Sequence, residues 1–264
     1  MLQLSRCTSL QHVILANPRV KDHREQMDTI HATASIPAQA DRRAEGKHLW
    51  GRPSMTSQFT KDIARHEMTI CHDDGLYRHL RFACQPVPYV EPCTSNRSFQ
   101  LFTAPGTLGI SGDMGTYIFA RLQDMFRFFD APAGRINPEY WSEKVTAQDV
   151  HCPIRTFSQE KFKEVVLQDF QDRKYAFEPA EQELLLSKLK RDVLGDPDTY
   201  HEVGAREALR NFVFYSKRPG EQRIEFDYSE SWEMDFNDFS YHFLWCLEAI
   251  VFGIARYRKV TGNV

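Results

Sequence analysis

The stretch "HEMTICHDDGLYRHLRF", residues 66–82, has the pattern of two β-strands joined by a tight turn. Met68, Ile70 and His72 alternate with their neighbours in a period of two, and the apolar positions after the turn continue that period. Asp74-Gly75 is typical of a type I′ hairpin turn, which requires positive φ at both central positions. The sequence therefore predicts an antiparallel hairpin in which Met68, Ile70 and His72 share one face.

Further strands follow in "SFQLFTAPGTLGISGDMGTYIFAR", residues 98–121, where Pro105-Gly106 and "GDMG" mark two more turns. The expected result is a meander of about five antiparallel strands between residues 67 and 121. Helical patterns come after it, with start signals at Asn137-Pro138, Ser158 and Pro179. Because the sheet precedes the helices, we predict an α+β fold: an antiparallel β-meander packed against helices, with a helical insertion.

Four regions are expected along the chain. Residues 1–57 lack periodicity and carry eight basic against five acidic residues, which predicts a basic, poorly ordered or loosely attached arm. Residues 58–149 form the β-meander with short helices, and residues 150–222 the helical insertion. Residues 223–264 hold an acidic edge segment and a closing core helix.

Composition restricts the class of protein. The chain of 264 residues is 42% hydrophobic, which is ordinary for a globular protein. Its net charge of -3 gives no overall attraction to nucleic acid, so direct nucleic-acid binding is not expected unless the arm provides it. The most apolar run, Phe243 to Ala255, falls short of the roughly 20 residues that span a bilayer, so no membrane contact is predicted.

The six cysteines include no CxxC pair, which argues against a zinc ribbon. Cys84 and Cys93 flank a proline-rich loop and are placed to form a disulfide in an oxidising compartment. With no secretory signal in view, we expect all six thiols to be reduced and the protein to lie in a cytoplasm.

Histidine and aspartate cluster around the first hairpin, which raises the alternative of a metal-dependent hydrolase or nuclease. The candidate ligands are His66, His72, Asp73, Asp74 and His79. The interpretation we favour is that the aspartates occupy a hairpin bend, where Asp commonly caps backbone N–H groups.

No other motif predicts catalysis. The glycines of "APGTLGISGDMG" are followed by a strand, whereas phosphate-binding loops open a helix. The G-x-S-x-G pattern of a nucleophile elbow is absent from the sequence, and Cys71 and His72 are strand neighbours that point to opposite faces. We therefore predict no catalytic residue and no cofactor, leaving the enzymatic question open but leaning against activity.

The most distinctive charged segment is "EFDYSESWEMDFND", residues 225–238, which has six acids and no base. One interpretation is a solvated edge strand with its aromatic residues turned inward. The other is an acidic and aromatic docking face for a basic protein. The candidate partner-binding residues are Glu225, Asp227, Glu230, Trp232, Glu233, Asp235 and Asp238.

Four blocks occur in this order along the chain: "HDDGLYRHLRF", "GDMGTYIFAR…DMFRFF", "INPEYWSEK" and "FSYHFLWCLEAIVFGI". Together they resemble a family of phage- and prophage-encoded accessory proteins, most of which have no assigned function. The resemblance covers about residues 59–145 and 232–258. The chain departs from the family at Ala104-Pro105-Gly106, where the family has Trp-Pro-Gly, in a longer loop at 83–98, and in the arm before Phe59.

The resemblance implies a viral accessory protein, of the kind that often neutralises a host defence system. The expected function is therefore a non-enzymatic inhibitor that binds a host anti-phage defence protein in the host cytoplasm, such as a CRISPR effector or another nuclease complex. A nucleic-acid-binding protein that uses the basic arm is a further alternative. Self-association into a homo-oligomer stays open.

Overall fold

The computed structural model of the chain describes residues 55–85, 97–130, 135–216 and 222–262. The predicted basic arm, residues 1–57, lies outside the described residues except at its end, where helix α1 begins at Met55.

Six antiparallel strands form one sheet in which each strand pairs with the next along the chain. This arrangement confirms the predicted α+β class and the meander of five strands, and it adds a short sixth strand that the sequence pattern did not indicate. The strands are β1 His66–Asp74, β2 Tyr77–Cys84, β3 Phe99–Ala104, β4 Thr107–Gly112, β5 Gly115–Ala120 and β6 Val145–Gln148.

Helix α7, Tyr241–Thr261, packs on one face of this sheet and completes the main hydrophobic core. Gly253 permits the close approach, because a Cβ at this position would lie 2.5 Å from the Leu101 Cδ1 atom. The helix is capped by Ser240, whose hydroxyl accepts a hydrogen bond from the Phe243 N–H. None of the described helices is both long enough and apolar enough to cross a membrane.

Three shorter helices contribute side chains to the main hydrophobic core: α1 Met55–Ile63, α2 Met125–Phe128 and α3 Pro138–Ser142. The predicted start of α3 is confirmed, because the Asn137 side chain accepts a hydrogen bond from the Tyr140 N–H and Pro138 occupies the first turn. In α1, the Phe59 ring packs edge-on against Trp245 of α7, with 5.2 Å between the ring centroids.

A second hydrophobic cluster lies in the helical insertion. It is built from α4 Gln159–Arg173, α5 Pro179–Leu189, α6 Glu202–Asn211, and the strand pair β8 Val213–Tyr215 and β9 Glu225–Asp227. The predicted helix starts at Ser158 and Pro179 are confirmed. Phe226, Tyr228 and Phe236 belong to this cluster. The packed unit therefore extends past the predicted boundary at residue 222 and includes much of the acidic segment.

The insertion enters and leaves the rest of the fold through a two-stranded ribbon. Strand β7, Arg155–Phe157, pairs antiparallel with strand β10, Asn237–Phe239, and Phe157 lies opposite Asn237. The Ser158 N–H donates a hydrogen bond to the Phe236 carbonyl at 2.9 Å, which extends the ribbon into the insertion.

A β-bulge in β1 corrects the predicted facing of the first hairpin. Ile70 pairs with Leu80, but the next paired residue is His72, which lies opposite His79, so Cys71 is the extra residue. The bulge moves His72 away from the face of Met68 and Ile70, and it places Asp73 on that face instead. The prediction that His72 shares the face of Met68 and Ile70 is therefore wrong.

The turn of this hairpin also differs in type from the predicted one. Asp74 pairs with Tyr77, so the central residues are Gly75 and Leu76, and Gly75 alone of the two has positive φ, at 63°. Glycine at the first central position is the requirement of a type II′ turn, in place of the predicted type I′ turn.

One cysteine contradicts the expectation of six reduced thiols. Cys84, at the end of β2, is disulfide-bonded, whereas Cys71, Cys152 and Cys246 are free. Because disulfides persist in oxidising surroundings, the reduced-thiol argument for a cytoplasmic location no longer applies.

Candidate protein-binding surface

The structure does not bring the five candidate metal ligands together. His66 is buried, and its Nε2 atom lies 3.1 Å from the Arg97 carbonyl oxygen. His72 and His79 face each other across the β1–β2 pair, and the His79 Nε2 atom lies 2.9 Å from the Gln100 Oε1 atom. Within the described ranges, no group of three or more His, Cys, Asp or Glu side chains is arranged to hold a metal ion.

Asp73 belongs instead to a polar network on the α7 side of the sheet. Its two carboxylate oxygens accept the Tyr257 hydroxyl, each at 2.9 Å. Beside Tyr257, the Arg78 guanidinium pairs with Asp124 at 2.9 Å and lies 4.6 Å from the centroid of the Phe126 ring. These contacts connect the end of α7 to the first hairpin and to α2, which is a structural role.

The free cysteines near the core are poorly suited to nucleophilic chemistry. Burial raises the pKa of the Cys246 thiol, which donates to the Met114 carbonyl oxygen, and burial also raises the pKa of Cys152. A thiol is nucleophilic as its thiolate, so a raised pKa suppresses the reactive form near neutral pH.

In the acidic segment, the aromatic residues separate into two groups. Phe226, Tyr228 and Phe236 are at most 2% exposed and fill the second hydrophobic cluster. Trp232, by contrast, is 72% exposed. It lies in a single 3₁₀ turn, Ser231–Glu233, that interrupts the extended segment and turns the indole outward. Trp232 is therefore the aromatic residue of this segment that is available to a partner.

The acidic residues separate by side-chain length. Asp227 accepts from the Ser229 N–H at 3.0 Å, Asp235 from the Asn237 N–H at 2.9 Å, and Asp238 from the Phe239 N–H at 2.7 Å. These local backbone N–H bonds are the first cause that lowers the pKa of Asp227 and of Asp235. The three aspartates therefore act chiefly as caps of the local backbone.

The three glutamates of the acidic segment, unlike its aspartates, do not cap the local backbone. Glu225 on β9, Glu230 and Glu233 are exposed, and their carboxylates have no hydrogen-bond or ion-pair partner among the residues that the structure describes. Glu230 and Glu233 flank Trp232 in the chain. We refer to Glu230, Trp232 and Glu233 together as the Trp232 surface.

Two arginines from the helical insertion donate hydrogen bonds to backbone carbonyls of the acidic segment. Arg206 of α6 donates to the Ser231 carbonyl at 3.0 Å and to the Met234 carbonyl at 3.4 Å, and it pairs with Glu202. Arg173 of α4 donates to the Asp227 carbonyl at 2.9 Å.

The guanidinium groups also lie over aromatic rings. The Arg173 Cζ atom is 3.9 Å from the centroid of Phe226, and the Arg206 Cζ atom is 5.0 Å from that of Phe236. The segment is thus held on its inner side, while its glutamates and Trp232 face outward.

The sequence pattern does not distinguish the six acids from one another and gives no indication of Arg173 or Arg206. One signal was present: Asp is a residue type whose short side chain commonly accepts the backbone N–H two positions later, as Asp227 does from Ser229. No sequence signal identified the two arginines, because their contacts with the segment span at least 25 residues of chain.

Comparisons with protein-family models, curated proteins and solved structures find no match to this chain.

Proposed function

We propose that this protein is a non-enzymatic binding protein that docks a basic surface of another protein on its Trp232 surface. The observation that carries the proposal is the position of Trp232, which is 72% exposed on a 3₁₀ turn beside which Arg206 donates to the Ser231 and Met234 carbonyls. A large apolar side chain in water is useful when a partner covers it, and tryptophan is enriched among residues that dominate binding energy.

The charges around Trp232 indicate the chemistry of the partner. Glu230 and Glu233 flank Trp232 in the chain, are exposed, and form no ion pair with any described residue. Opposite charge on a partner accelerates the encounter, and lysine or arginine side chains can stack on the exposed indole. A basic protein surface satisfies both requirements.

The proposed partner is a host anti-phage defence protein or nuclease complex, and the proposed role is its inhibition within the host cell. This part of the proposal is supported by the resemblance of four sequence blocks to phage-encoded accessory proteins. It is also supported by the negative charge of Glu230 and Glu233, which complements the basic surfaces with which nucleases bind nucleic acid. The metal-dependent nuclease alternative gains no support from the geometry, because its five candidate residues are dispersed.

The test is affinity capture of the tagged protein from a bacterial lysate, followed by measurement of nuclease activity in the captured complex. We expect a stoichiometric defence subunit whose cleavage of its substrate is suppressed. Trp232→Ala and the double variant Glu230→Lys/Glu233→Lys should each weaken capture at least tenfold.

The matched controls are Tyr175→Ala, which removes another aromatic ring that is 78% exposed, and Glu183→Lys on α5. Both should bind as the unmodified protein does. Equal binding by Trp232→Ala and the unmodified protein would exclude the Trp232 surface. Capture of a defence subunit that remains fully active would exclude inhibition.

A further inference from the structure

The helical insertion has a second surface with the opposite charge, at the free edge of β8. In the β8–β9 pair, Phe214 lies opposite Phe226, and the Ser216 N–H donates to the Ile224 carbonyl at 2.9 Å. In antiparallel strands the backbone N–H and C=O groups of successive residues point to opposite sides, and those of every second residue point to the same side. Those of Phe214 and Ser216 face β9, so those of Val213 and Tyr215 face away from it.

This outer edge is partly unpaired. The Val213 carbonyl accepts a hydrogen bond from the Lys188 ammonium group. The backbone N–H and C=O of Tyr215 have no hydrogen-bond partner within the described part of the chain. An unpaired strand edge of this kind is a template for a further strand.

A helix faces the edge and makes it one wall of a cleft of about 560 Å³. Leu184, Ser187 and Lys188 of α5 line the opposite wall, and Arg191 in the following turn extends it. Their spacing of i, i+3, i+4 and i+7 places all four on one helical face. A groove between a strand edge and a helix has room for one extended peptide.

The lining of the groove is cationic. Lys188, Arg191 and Arg223 contribute three positive charges, and no acidic residue is among the described residues that line it. Arg223 stacks on Tyr215, with its Cζ atom 3.4 Å from the ring centroid. Arg191 is also paired with the neighbouring Asp192 at 2.6 Å, which reduces its contribution.

Apolar side chains lie between these charges. Leu184 is 51% exposed and Tyr215 is 37% exposed. In an added strand, successive side chains point to opposite faces, so those on one face can contact Leu184 and Tyr215 while carboxylates on the other reach the cations at the rim.

We propose that this groove binds an acidic, extended peptide segment of a partner protein, which adds to β8 as a third strand. The backbone groups of Tyr215 supply the pairing, and Lys188, Arg191 and Arg223 select acidic side chains. A nucleic acid would also meet cations here, but it lacks the alternating N–H and C=O groups that a strand edge pairs with. The site is separate from the Trp232 surface and does not depend on the function proposed above.

The test uses an eight-residue fluorescent peptide of alternating Val and Glu, capped at both ends, and the corresponding peptide of Val and Lys. Fluorescence anisotropy with the full chain should show binding of the Val-Glu peptide and at least tenfold weaker binding of the Val-Lys peptide. Arg223→Glu should weaken binding of the Val-Glu peptide at least tenfold. Arg210→Glu, an exposed control on α6, should leave this binding unchanged.

Strand addition is tested with two N-methylated Val-Glu peptides, one methylated at the Val amides and the other at the Glu amides. Only one set of amides can face β8, so one peptide should bind like the parent and the other should lose binding. Equal binding of the two methylated peptides would overturn strand addition. Failure of the Val-Glu peptide to bind, or preferential binding of a single-stranded oligothymidylate, would overturn the peptide site.

The two proposals can be separated with the same reagents. Trp232→Ala should bind the Val-Glu peptide as the unmodified protein does, and Arg223→Glu should retain capture through the Trp232 surface. Loss of peptide binding in both variants would overturn the assignment of the peptide to the β8 groove.

Discussion

The hydroxyl of Tyr257 is shared between the two carboxylate oxygens of Asp73, at 2.9 Å from each. Tyr257 lies near the end of α7 and Asp73 near the tip of the first hairpin, 184 residues apart in the chain. The bond depends on the bulge at Cys71, because without the extra residue Asp73 would face away from α7. A residue considered as a metal ligand therefore fastens the closing helix to the sheet.

Removing this hydroxyl should destabilise the fold. We expect Tyr257→Phe to lower the free energy of unfolding by about 1 kcal/mol, the typical net value of one hydrogen bond. Urea denaturation followed by circular dichroism measures the change. Tyr175→Phe is the control, because its ring is 78% exposed, and an equal loss in both variants would contradict the role of the Asp73 contact.

Buried tyrosines should make the fold sensitive to alkaline pH. Burial is the first cause that raises the pKa of Tyr117, Tyr228 and Tyr257 above the usual value of about 10. Below that pH both states hold the proton, and stability does not depend on these groups. Above it the unfolded chain loses protons first, so the free energy of unfolding falls until the pH reaches the folded-state pKa.

The free energy of unfolding should fall by at most about 1.4 kcal/mol per pH unit for each such tyrosine. Urea denaturation at pH values from 8 to 11 measures it. Tyr228→Phe should show a shallower decline than the unmodified chain. A stability that stays flat up to pH 11 would contradict the raised pKa values.

Arg206 should determine how firmly Trp232 is held. We expect Arg206→Met to speed amide hydrogen exchange at Glu233 and Met234, whose N–H groups close the 3₁₀ turn. Loss of the two carbonyl contacts should cost about 1 kcal/mol locally, which corresponds to roughly fivefold faster exchange. Arg210→Met on the same helix is the control, and unchanged exchange in Arg206→Met would show that the turn is held by other contacts.

Metal ions should leave stability unchanged. Because the candidate ligands around the first hairpin point to different surroundings, we expect the same melting temperature in EDTA and in millimolar Mn²⁺ or Zn²⁺. Differential scanning fluorimetry measures this, with His72→Ala as the matched variant. A rise of several degrees with metal that His72→Ala abolishes would restore the metal-site hypothesis.

The features that could be predicted are those set by local chemistry. The turns at Gly75 and Gly106 and the helix starts at Asn137 and Ser158 depend on residues within a few positions, so their sequence signals are direct. The bulge at Cys71 could not be predicted, because nothing in its neighbours distinguishes an extra residue from a regular strand.

The candidate surfaces were only partly predictable. The acidic and aromatic composition of residues 225–238 was evident, but the outward position of Trp232 depends on a 3₁₀ turn that breaks the alternation. The β8 groove was not predictable, because it forms where α5 and β8 meet across 25 residues of chain, as the contact between Lys188 and Val213 shows.

The ribbon of β7 and β10 has a consequence for how this protein can change over generations. Phe157 and Asn237 lie opposite each other, so the points where the chain leaves the sheet body and returns to it are one strand spacing apart, about 5 Å. A deletion of residues 158–236 would leave ends that a two-residue turn can join. Both proposed binding surfaces lie within residues 158–236, so exchange of that one segment would replace both surfaces and leave the sequence of the six sheet strands unchanged.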